Sequence, residues 1–231
     1  MKPGDPQAVR ELFDTIAPRY DLLNDLLSLG LHRLWKRQAV LWVQPRPGST
    51  QVDLCCGTGD LAFLLAERVR PGGRVLAIDA AAAPLEQARC RAARYPWLPI
   101  RWRQADALAT GLPTAAADGA VMAYGLRNLA DPAAGLVELR RLLRPGARAA
   151  VLDFNRSEGR VAELQRAYLR RLVVPTAERF GLADHYAYLE ASLERFASGP
   201  DQERLARNAG FRHARHRPLA GGLMGLLQLV A

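Results

Sequence analysis

Apolar residues in the middle of this chain recur with two alternating patterns. Between residues 51 and 154, short apolar runs alternate with longer stretches in which apolar side chains recur at helical spacing. The runs predict strands and the longer stretches predict helices. Such alternation is typical of parallel βαβ units in an α/β fold. We therefore expect strands near 51–55, 74–78, 100–104, 118–123 and 147–153, and helices near 60–69, 82–94 and 132–143.

Helical segments are predicted on both sides of this alternating region. Residues 8–43 have helical spacing with a break at Pro18, and they precede the first strand, so we expect an N-terminal helical cap. Residues 157–198 are basic and helical in pattern, and they interrupt the alternation after the fifth strand. The end of the chain predicts a last helix over 201–208 and a closing hairpin of strands 212–218 and 223–230.

These elements fit a single domain over residues 1–231. The closing hairpin places one antiparallel strand in an otherwise parallel, Rossmann-like sheet of seven strands. Its composition suits one globular core, since 49% of the 231 residues are apolar and 24% are charged. The predicted parts are a cap at 1–48, a cofactor-binding core at 49–156, a helical insertion at 157–199, and the closing helix and hairpin at 200–231.

The net charge of +9 and the pI near 10.2 favour an anionic partner, although an arginine-rich genome would give the same bias. The sequence has no Lys/Arg block and no recognisable nucleic-acid module, so we expect no nucleic-acid partner. Three cysteines cannot form a disulfide framework, which predicts a reduced, cytoplasmic location. No cluster has the spacing of metal ligands, and no apolar run reaches the ~18 residues that span a bilayer.

A glycine-rich turn follows the first predicted strand. Gly57 and Gly59 let the chain turn tightly against a ligand, and a helix begins at Asp60. The pattern also fits a dinucleotide-binding loop. Asp53, four residues before the first glycine, would repel a pyrophosphate but would attract the cationic amino-acid end of S-adenosylmethionine. We therefore predict S-adenosylmethionine as the cofactor, with an NAD-dependent oxidoreductase as the alternative.

Carboxylates also end the second and third predicted strands. Asp79 lies ~20 residues beyond the glycines. A doubly wound fold places its ribose-binding acid at this distance. We predict that Asp79 accepts hydrogen bonds from the ribose hydroxyls. Asp106 is a candidate for the exocyclic amine of adenine, with the Ala107 N–H at a ring nitrogen, and a helix cap is the equal alternative for Asp106.

Motifs outside this loop indicate a family. Residues Val9–Asn24, Ser28–Lys36 and Tyr124–Asn128 resemble the signatures of the ubiquinone/menaquinone-biosynthesis C-methyltransferases, which are class I enzymes dependent on S-adenosylmethionine, and the resemblance runs almost end to end. Residues 151–156, 186–196 and 220–225 look most like the cyanobacterial and plastid branch, which methylates 2-phytyl-1,4-naphthoquinone to phylloquinone. Menaquinone-type members typically carry Glu-Phe-Ser where this chain has Asp153-Phe-Asn155.

The resemblance also implies individual cofactor contacts. In the commoner family pattern a threonine and a serine stand at the positions of Ala62 and Ala123, so any contact at these two positions is expected from the backbone. The implied cofactor contacts are Ala62, Asp79, Asp106, Ala107 and Ala123.

The resemblance further implies methyl transfer to a ring carbon. A quinone is electrophilic, so the substrate must be the reduced quinol, and its phenolate form must be favoured. We predict that Arg127, a permanent cation, stabilises this oxyanion and that Asn128 orients the same oxygen. The alternative for Arg127 is a loop stabilised by pairing with a carboxylate. Tyr20 and Asp21 in the cap are expected to close over the cofactor and the quinol ring, and structural packing is the equal alternative for Tyr20.

Several partners and alternatives follow from this interpretation. The substrate is a lipophilic quinol, and the basic helices of 160–196 are expected either to contact an anionic membrane surface peripherally or to form a face of a homodimer. The alternatives are a methyltransferase for demethylmenaquinone or a ubiquinone precursor, a class I methyltransferase for small phenols or RNA, and a non-catalytic scaffold that binds the cofactor.

Overall fold

The chain folds around one central sheet. The computed structural model describes residues 4–16, 28, 30–156, 163, 167 and 183–231, without the side chains of 183–187. Within these ranges the strands are β1 Thr50–Leu54, β2 Arg74–Asp79, β3 Ile100–Gln104, β4 Ala117–Ala123, β5 Leu143–Phe154, β6 His213–Leu219 and β7 Met224–Val230. The helices are α1 Pro6–Ile16, α2 His32–Val43, α3 Asp60–Val69, α4 Ala82–Ala92, α5 Pro132–Leu142, α6 Ala183–Arg195 and α7 Gly199–Asn208.

The sheet has the strand order β3-β2-β1-β4-β5-β7-β6. Strands β1 to β5 run parallel to one another, whereas β7 is antiparallel to both β5 and β6. The predicted seven-stranded, mostly parallel sheet with one antiparallel strand is therefore confirmed. The strand order reverses between β1 and β4, and ligands of doubly wound folds bind at the carboxyl ends of the strands at such a reversal.

The largest difference from the predicted bounds concerns β5. Leu143 already pairs with Ala117, and the register then shifts before Arg148 pairs with Gly119. The strand therefore begins earlier than the predicted residue 147, and Arg144–Gly146 lies inside an irregular part of β5. Apolar patterning does not show this because these residues are exposed.

Two apolar layers cover the two faces of the sheet. Successive residues of β5 alternate between them: Ala149 and Val151 pack with α5 and α7 on one face, and Ala150 and Leu152 pack with α2 and α3 on the other. This is the period of two expected for a strand that is buried on both sides.

Of the described helices that precede β1, α2 packs on this core and α1 packs on α4. In α2 the indole N–H of Trp42 donates to the carbonyl of Ala149 at 3.0 Å. In α1 a carboxylate oxygen of Asp14 accepts from the Ala83 N–H of α4 at 2.8 Å. Residues 17–27 and most of the predicted insertion at 157–199 lie outside the described residues, which include α6 from that insertion.

None of the helices within the ranges given above is both long enough and apolar enough to cross a bilayer.

Candidate active site

Two adjoining cavities lie where β1 and β4 end. Including the space at their mouths that is open to solvent, the larger spans about 880 Å³ and the smaller about 310 Å³. They share the residues Cys55, Gly57, Ala123 and Tyr124 as walls. The site therefore occupies the crevice that the reversal of strand order predicts.

The backbone turns sharply at both strand ends. Cys55 after β1 and Tyr124 after β4 both have a φ of +59°, in the left-handed region that residues with a side chain seldom adopt. The Tyr124 N–H is held by the carbonyl of Leu152 at 2.7 Å. Holding a residue with a side chain in this conformation lowers the stability by about 1–2 kcal/mol, and residues in this conformation cluster at functional sites.

Asp79 lines the larger cavity and also holds the glycine loop. One of its carboxylate oxygens accepts from the Gly57 N–H at 2.7 Å and the other from the Ala81 N–H at 2.9 Å. Burial raises the pKa of Asp79 above its usual value, and these backbone donors oppose that rise. Each oxygen keeps a second lone pair, so the carboxylate still has acceptor capacity for a ligand.

Asp106 and Ala107 line the same cavity as Asp79. One oxygen of Asp106 accepts from the Leu108 N–H at 2.9 Å, so this side chain stabilises a turn. Asp106 thus holds a turn and caps no described helix, and its second oxygen has no protein hydrogen bond among the described residues. Of the predicted cofactor residues, the larger cavity brings together Gly57, Asp79, Asp106, Ala107 and Ala123.

Asp53 lines the smaller cavity and is 1% exposed. Neither of its carboxylate oxygens has a hydrogen-bond partner among the described residues. Burial raises the pKa of Asp53 well above its usual value, although the charge of Lys36 and the Ala62 backbone N–H, which does not reach hydrogen-bond geometry, oppose that rise. A buried carboxylate without donors is costly, so this position suits a cationic ligand.

Lys36 of α2 enters the smaller cavity as well, and the sequence analysis did not identify it. Its Nζ donates to Asp60 at 2.8 Å, and Arg91 donates to the other oxygen of Asp60 at 2.9 Å. Burial would raise the pKa of Asp60, but Lys36 and then Arg91 outweigh it and lower this pKa to about 2. A signal was present, because Lys36 stands one helical turn before the buried Ala39 and Val40 of α2.

Two predicted cofactor residues, Gly59 and Ala62, line neither cavity. A Cβ on Gly59 would lie 2.6 Å from the ring of Trp102, so this glycine is required by packing rather than by the approach of a ligand. Ala62 is fully buried in α3, behind the loop. The expectation that Gly59 faces the ligand is therefore corrected.

Arg127 is buried behind the cavity wall. Its Nη1 donates to Asp153 Oδ1 at 2.5 Å, and its backbone N–H donates to Asp153 Oδ2 at 3.2 Å. The guanidinium lies over the ring of Phe154 at 5.1 Å, and Arg127 is absent from the lining of both cavities. The expected position of Arg127 in the crevice is thus corrected, because a buried carboxylate draws the guanidinium into the pairing that was the alternative.

Asn128 does line the larger cavity. Its Nδ2 donates to the carbonyl of Tyr124 at 2.8 Å, and its Oδ1 accepts from the hydroxyl of Tyr188 at 3.0 Å. These two bonds fix the amide plane and leave one N–H of Nδ2 for another acceptor. Tyr188 belongs to α6, so the predicted insertion contributes a positioning contact.

The cap contributes apolar side chains to the wall of the larger cavity. Val9 and Phe13 of α1 lie one helical turn apart and line it together with Leu108 and Leu129. Tyr20 and Asp21, which were expected to contribute here, lie outside the described residues. In the part of the chain described, no three His, Cys, Asp or Glu side chains are arranged to hold a metal ion.

The model of the ubiE/COQ5 methyltransferase family matches residues 1–228. The chain belongs to this family. The predicted family is therefore confirmed, together with a methyltransferase activity that uses S-adenosylmethionine.

Relatives of this ubiE/COQ5 family member are similar to it over most of their length. The "2-phytyl-1,4-naphtoquinone methyltransferase" of Synechococcus elongatus is 49% identical over 98% of both chains. The "2-phytyl-1,4-beta-naphthoquinone methyltransferase, chloroplastic" of Arabidopsis thaliana is 42% identical over 94% of this chain and 85% of its own. A crystal structure of a SAM-dependent methyltransferase from Aquifex aeolicus has the same fold, with a TM-score of 0.63 and 19% identity over 98% of each chain.

We predict that Asp53→Asn stabilises the cofactor-free protein while weakening its binding of S-adenosylmethionine. The folded pKa of Asp53 lies above the unfolded value, so its ionisation at neutral pH opposes folding. Removing the charge should raise the melting temperature by about 2–4 °C for each kcal/mol regained. Calorimetry of unfolding and of cofactor binding measures both effects.

The matched control for this test is Asp131→Asn, because Asp131 caps α5 from an exposed position and asparagine caps equally well. It should change neither quantity. A lower melting temperature for Asp53→Asn, with unchanged cofactor affinity, would contradict the interpretation of Asp53 as an uncompensated ligand.

We also predict that Gly59→Ala is more destabilising than Gly146→Ala. Both glycines have a left-handed φ, of +92° and +78°, so both substitutions cost about 1–2 kcal/mol from the backbone. Only Gly59 faces a neighbour, and displacing Trp102 should cost about 1–3 kcal/mol more. Urea unfolding of the two variants provides the comparison, and equal losses would show that Trp102 gives way freely.

Proposed function

We propose that this protein transfers a methyl group from S-adenosylmethionine to a ring carbon of 2-phytyl-1,4-naphthoquinol. The methyl–sulfur bond breaks to leave S-adenosylhomocysteine, and the ring carbon loses its proton to give phylloquinol. The observation that carries this proposal is the larger cavity, where carboxylates at the strand ends share one space with an apolar wall from the cap. The names of the relatives, including those of Synechococcus elongatus and Arabidopsis thaliana, support the choice of substrate.

The residues of the two cavities fit the proposed cofactor. Asp53, whose carboxylate has no hydrogen-bond donor among the described residues, would take the ammonium group. Asp79 would accept from the ribose hydroxyls while it keeps its bonds to the loop, and Asp106 and Ala107 would contact the adenine. When bound, S-adenosylmethionine supplies a methyl group on a positively charged sulfur, which makes that carbon electrophilic.

The acceptor carbon becomes nucleophilic when a ring oxygen donates electrons to it. Asn128 is placed to stabilise that oxygen, since its amide faces the cavity with one N–H outside the bonds that fix its plane. A donor of this kind is effective because it is oriented before the charge develops and is shielded from water. Val9 and Phe13 of the cap would provide the shielding.

In this proposal Arg127 acts through its neighbour. Its Nη1 donates to the Tyr124 carbonyl at 3.2 Å, the same oxygen that receives the Asn128 amide. The pairing with Asp153 offsets its positive charge, so its field at the substrate is smaller than that of a lone cation. Arg127 is therefore a positioning residue that keeps Asn128 and the strand end in place.

A lipophilic substrate also requires access from a membrane. We propose that the protein is cytoplasmic and contacts an anionic membrane surface peripherally, in keeping with its net charge of +9. The helices first expected to do this lie mostly outside the described residues. In the described part, α2 presents Leu34 and Leu41, which are 51% and 58% exposed, next to the exposed Arg37.

Profiling of lipid quinones in a strain that lacks this protein tests the choice of substrate. Accumulated demethylphylloquinone is the expected result. Accumulated demethylmenaquinone instead would move the assignment to the menaquinone branch, and an unchanged quinone profile would support a non-catalytic scaffold.

We predict that methylation of 2-phytyl-1,4-naphthoquinone requires a reductant. The oxidised ring is electron-poor at the acceptor carbon, whereas the quinol oxygen donates electrons into the ring. Product formation should be measured by chromatography with dithionite present and under oxidising conditions, with cofactor affinity measured in both as the control. Equal turnover of the oxidised quinone would contradict the proposed chemistry.

We further predict that Asn128→Ala lowers kcat by about 10²–10³-fold, as expected for the loss of one donor to an oxyanion. The affinity for S-adenosylmethionine should change little, because the carboxylates proposed to bind the cofactor lie elsewhere. Tyr188→Phe removes only the hydroxyl that orients Asn128 and should lower kcat roughly fivefold, which corresponds to about 1 kcal/mol.

The control for this pair is Asn208→Ala, an exposed asparagine at the end of α7. Its kcat, measured by steady-state kinetics, and its affinity for S-adenosylmethionine, measured by titration, should equal those of the wild type. If Asn128→Ala kept a normal kcat, or if its loss lay wholly in cofactor affinity, another group would carry the stabilisation of the oxyanion.

A further inference from the structure

The smaller cavity presents opposite charges at separate points of its wall. Asp53 is at the end of β1, and Lys36 enters from α2. Lys36 is the only cationic side chain among the described residues that line this cavity. A ligand that fits here must therefore satisfy an acidic group and a basic group together.

We propose that Lys36 binds the carboxylate of the amino-acid end of S-adenosylmethionine while Asp53 binds its ammonium group. The smaller cavity then recognises an amino-acid zwitterion. This inference rests on the cofactor placement proposed above, and it adds a residue that neither the glycine loop nor the strand-end carboxylates indicated.

The bonding of Lys36 supports this assignment. Lys36 is 6% exposed, and lysines this buried are rare unless they are paired. Its Nζ donates to Asp60 at 2.8 Å and lies 5.8 Å from the centre of the Tyr124 ring. An ammonium group has three donors, so a carboxylate ligand can be added without breaking the bond to Asp60.

The balance of charge favours a zwitterion over an ion of one sign. Lys36 and Arg91 share Asp60, which uses one oxygen for each, and Asp53 carries the remaining negative charge. These two cations and two carboxylates sum to zero when all are ionised. An amino acid has no net charge at neutral pH, so it supplies a donor to Asp53 and an acceptor to Lys36 without disturbing this balance.

The position of the two cavities agrees with a ligand of two parts. They share Gly57 and Ala123 as walls, so a nucleoside in the larger space can continue into an amino acid in the smaller one. Lys36 belongs to α2, outside the strand-and-loop core. The proposed contact would therefore add a ligand-mediated link between α2 and the core to the bond that Lys36 already makes with Asp60.

The first test compares ligands on the wild-type protein by isothermal titration. S-adenosylmethionine and decarboxylated S-adenosylmethionine both carry the sulfonium and an amine, and they differ in the carboxylate. We expect removal of the carboxylate to weaken binding by about 10- to 100-fold, the range for a hydrogen bond between charged groups. Equal affinity for the two ligands would overturn the inference.

The second test replaces Lys36 itself. Lys36→Met should reduce the affinity for S-adenosylmethionine to the level of the decarboxylated ligand, and it should leave the affinities for decarboxylated S-adenosylmethionine and 5′-methylthioadenosine within a fewfold of wild type. Lys36→Arg should retain the preference for the carboxylate. Arg68→Met removes an exposed cation from the last turn of α3 and should leave the affinities for all three ligands unchanged.

A merely structural role for Lys36 would give a different result. Losing its bond to Asp60 would disturb the loop and weaken all three ligands equally, and that outcome would overturn the inference. If Lys36→Met does not fold, the wild-type comparison and Lys36→Arg still decide the question. Hydrogen exchange gives a further readout, since S-adenosylmethionine should protect α2 more than 5′-methylthioadenosine does.

The same titrations separate this inference from the cofactor placement. Wild-type protein that fails to bind S-adenosylmethionine would overturn both. Tight binding of S-adenosylmethionine without preference for its carboxylate would overturn only the role of Lys36 and leave the roles of Asp53 and Asp79 standing.

Discussion

The pairing of β1 with β4 is the constraint on which the site depends. These strands are separated by more than 60 residues of chain but lie side by side, with Gln51 opposite Gly119 and Leu54 opposite Met122. Because they run parallel, both end at the same edge of the sheet. Cys55 and Tyr124 then turn in the left-handed conformation, and both cavities open between these turns.

Electrostatics at this edge oppose stability in the absence of a ligand. Burial raises the pKa values of Asp53 and Asp79, so their charged forms are more costly here than in water. Asp79 is partly compensated by hydrogen bonds from two backbone N–H groups, whereas neither oxygen of Asp53 accepts a hydrogen bond from the described residues. Such an arrangement is expected at a binding site, where the groups that bind the ligand lower the stability of the ligand-free protein.

Some of the polar side chains around β4 and β5 line the cavity, and others lie behind its wall and hold the first group in place. Arg127 and Asp153 form a buried pair behind the wall, and Asn128 stands at the wall with Tyr188 holding its amide. Removing one member of a buried pair leaves an uncompensated charge, so damage to this pair is also expected to displace Asn128. A loss of activity on changing Arg127 therefore does not by itself establish contact with the substrate.

The amino-acid sequence by itself determined the architecture. Periods of two and of 3.6 residues are local properties, and they predicted the α/β order, the antiparallel strand and most element bounds. The carboxylates Asp53 and Asp79 were also predicted to lie at the ligand edge, because a residue that ends a parallel strand must lie there wherever its neighbours are. The family was predicted from the resemblance of the motifs, because the periodicity of a single chain indicates a fold class and not a family.

Only the tertiary structure decided which side chains face the cavities. Arg127 and Asn128 are adjacent in sequence, but Asp153, 26 residues from Arg127, draws one behind the wall while Tyr188, 60 residues from Asn128, holds the other at it. Gly59 is fixed by the ring of Trp102 on another strand, and Lys36 reaches the loop from the cap. These outcomes depend on partners distant in sequence, and local patterns of polarity carry no information about which distant partner a side chain will meet.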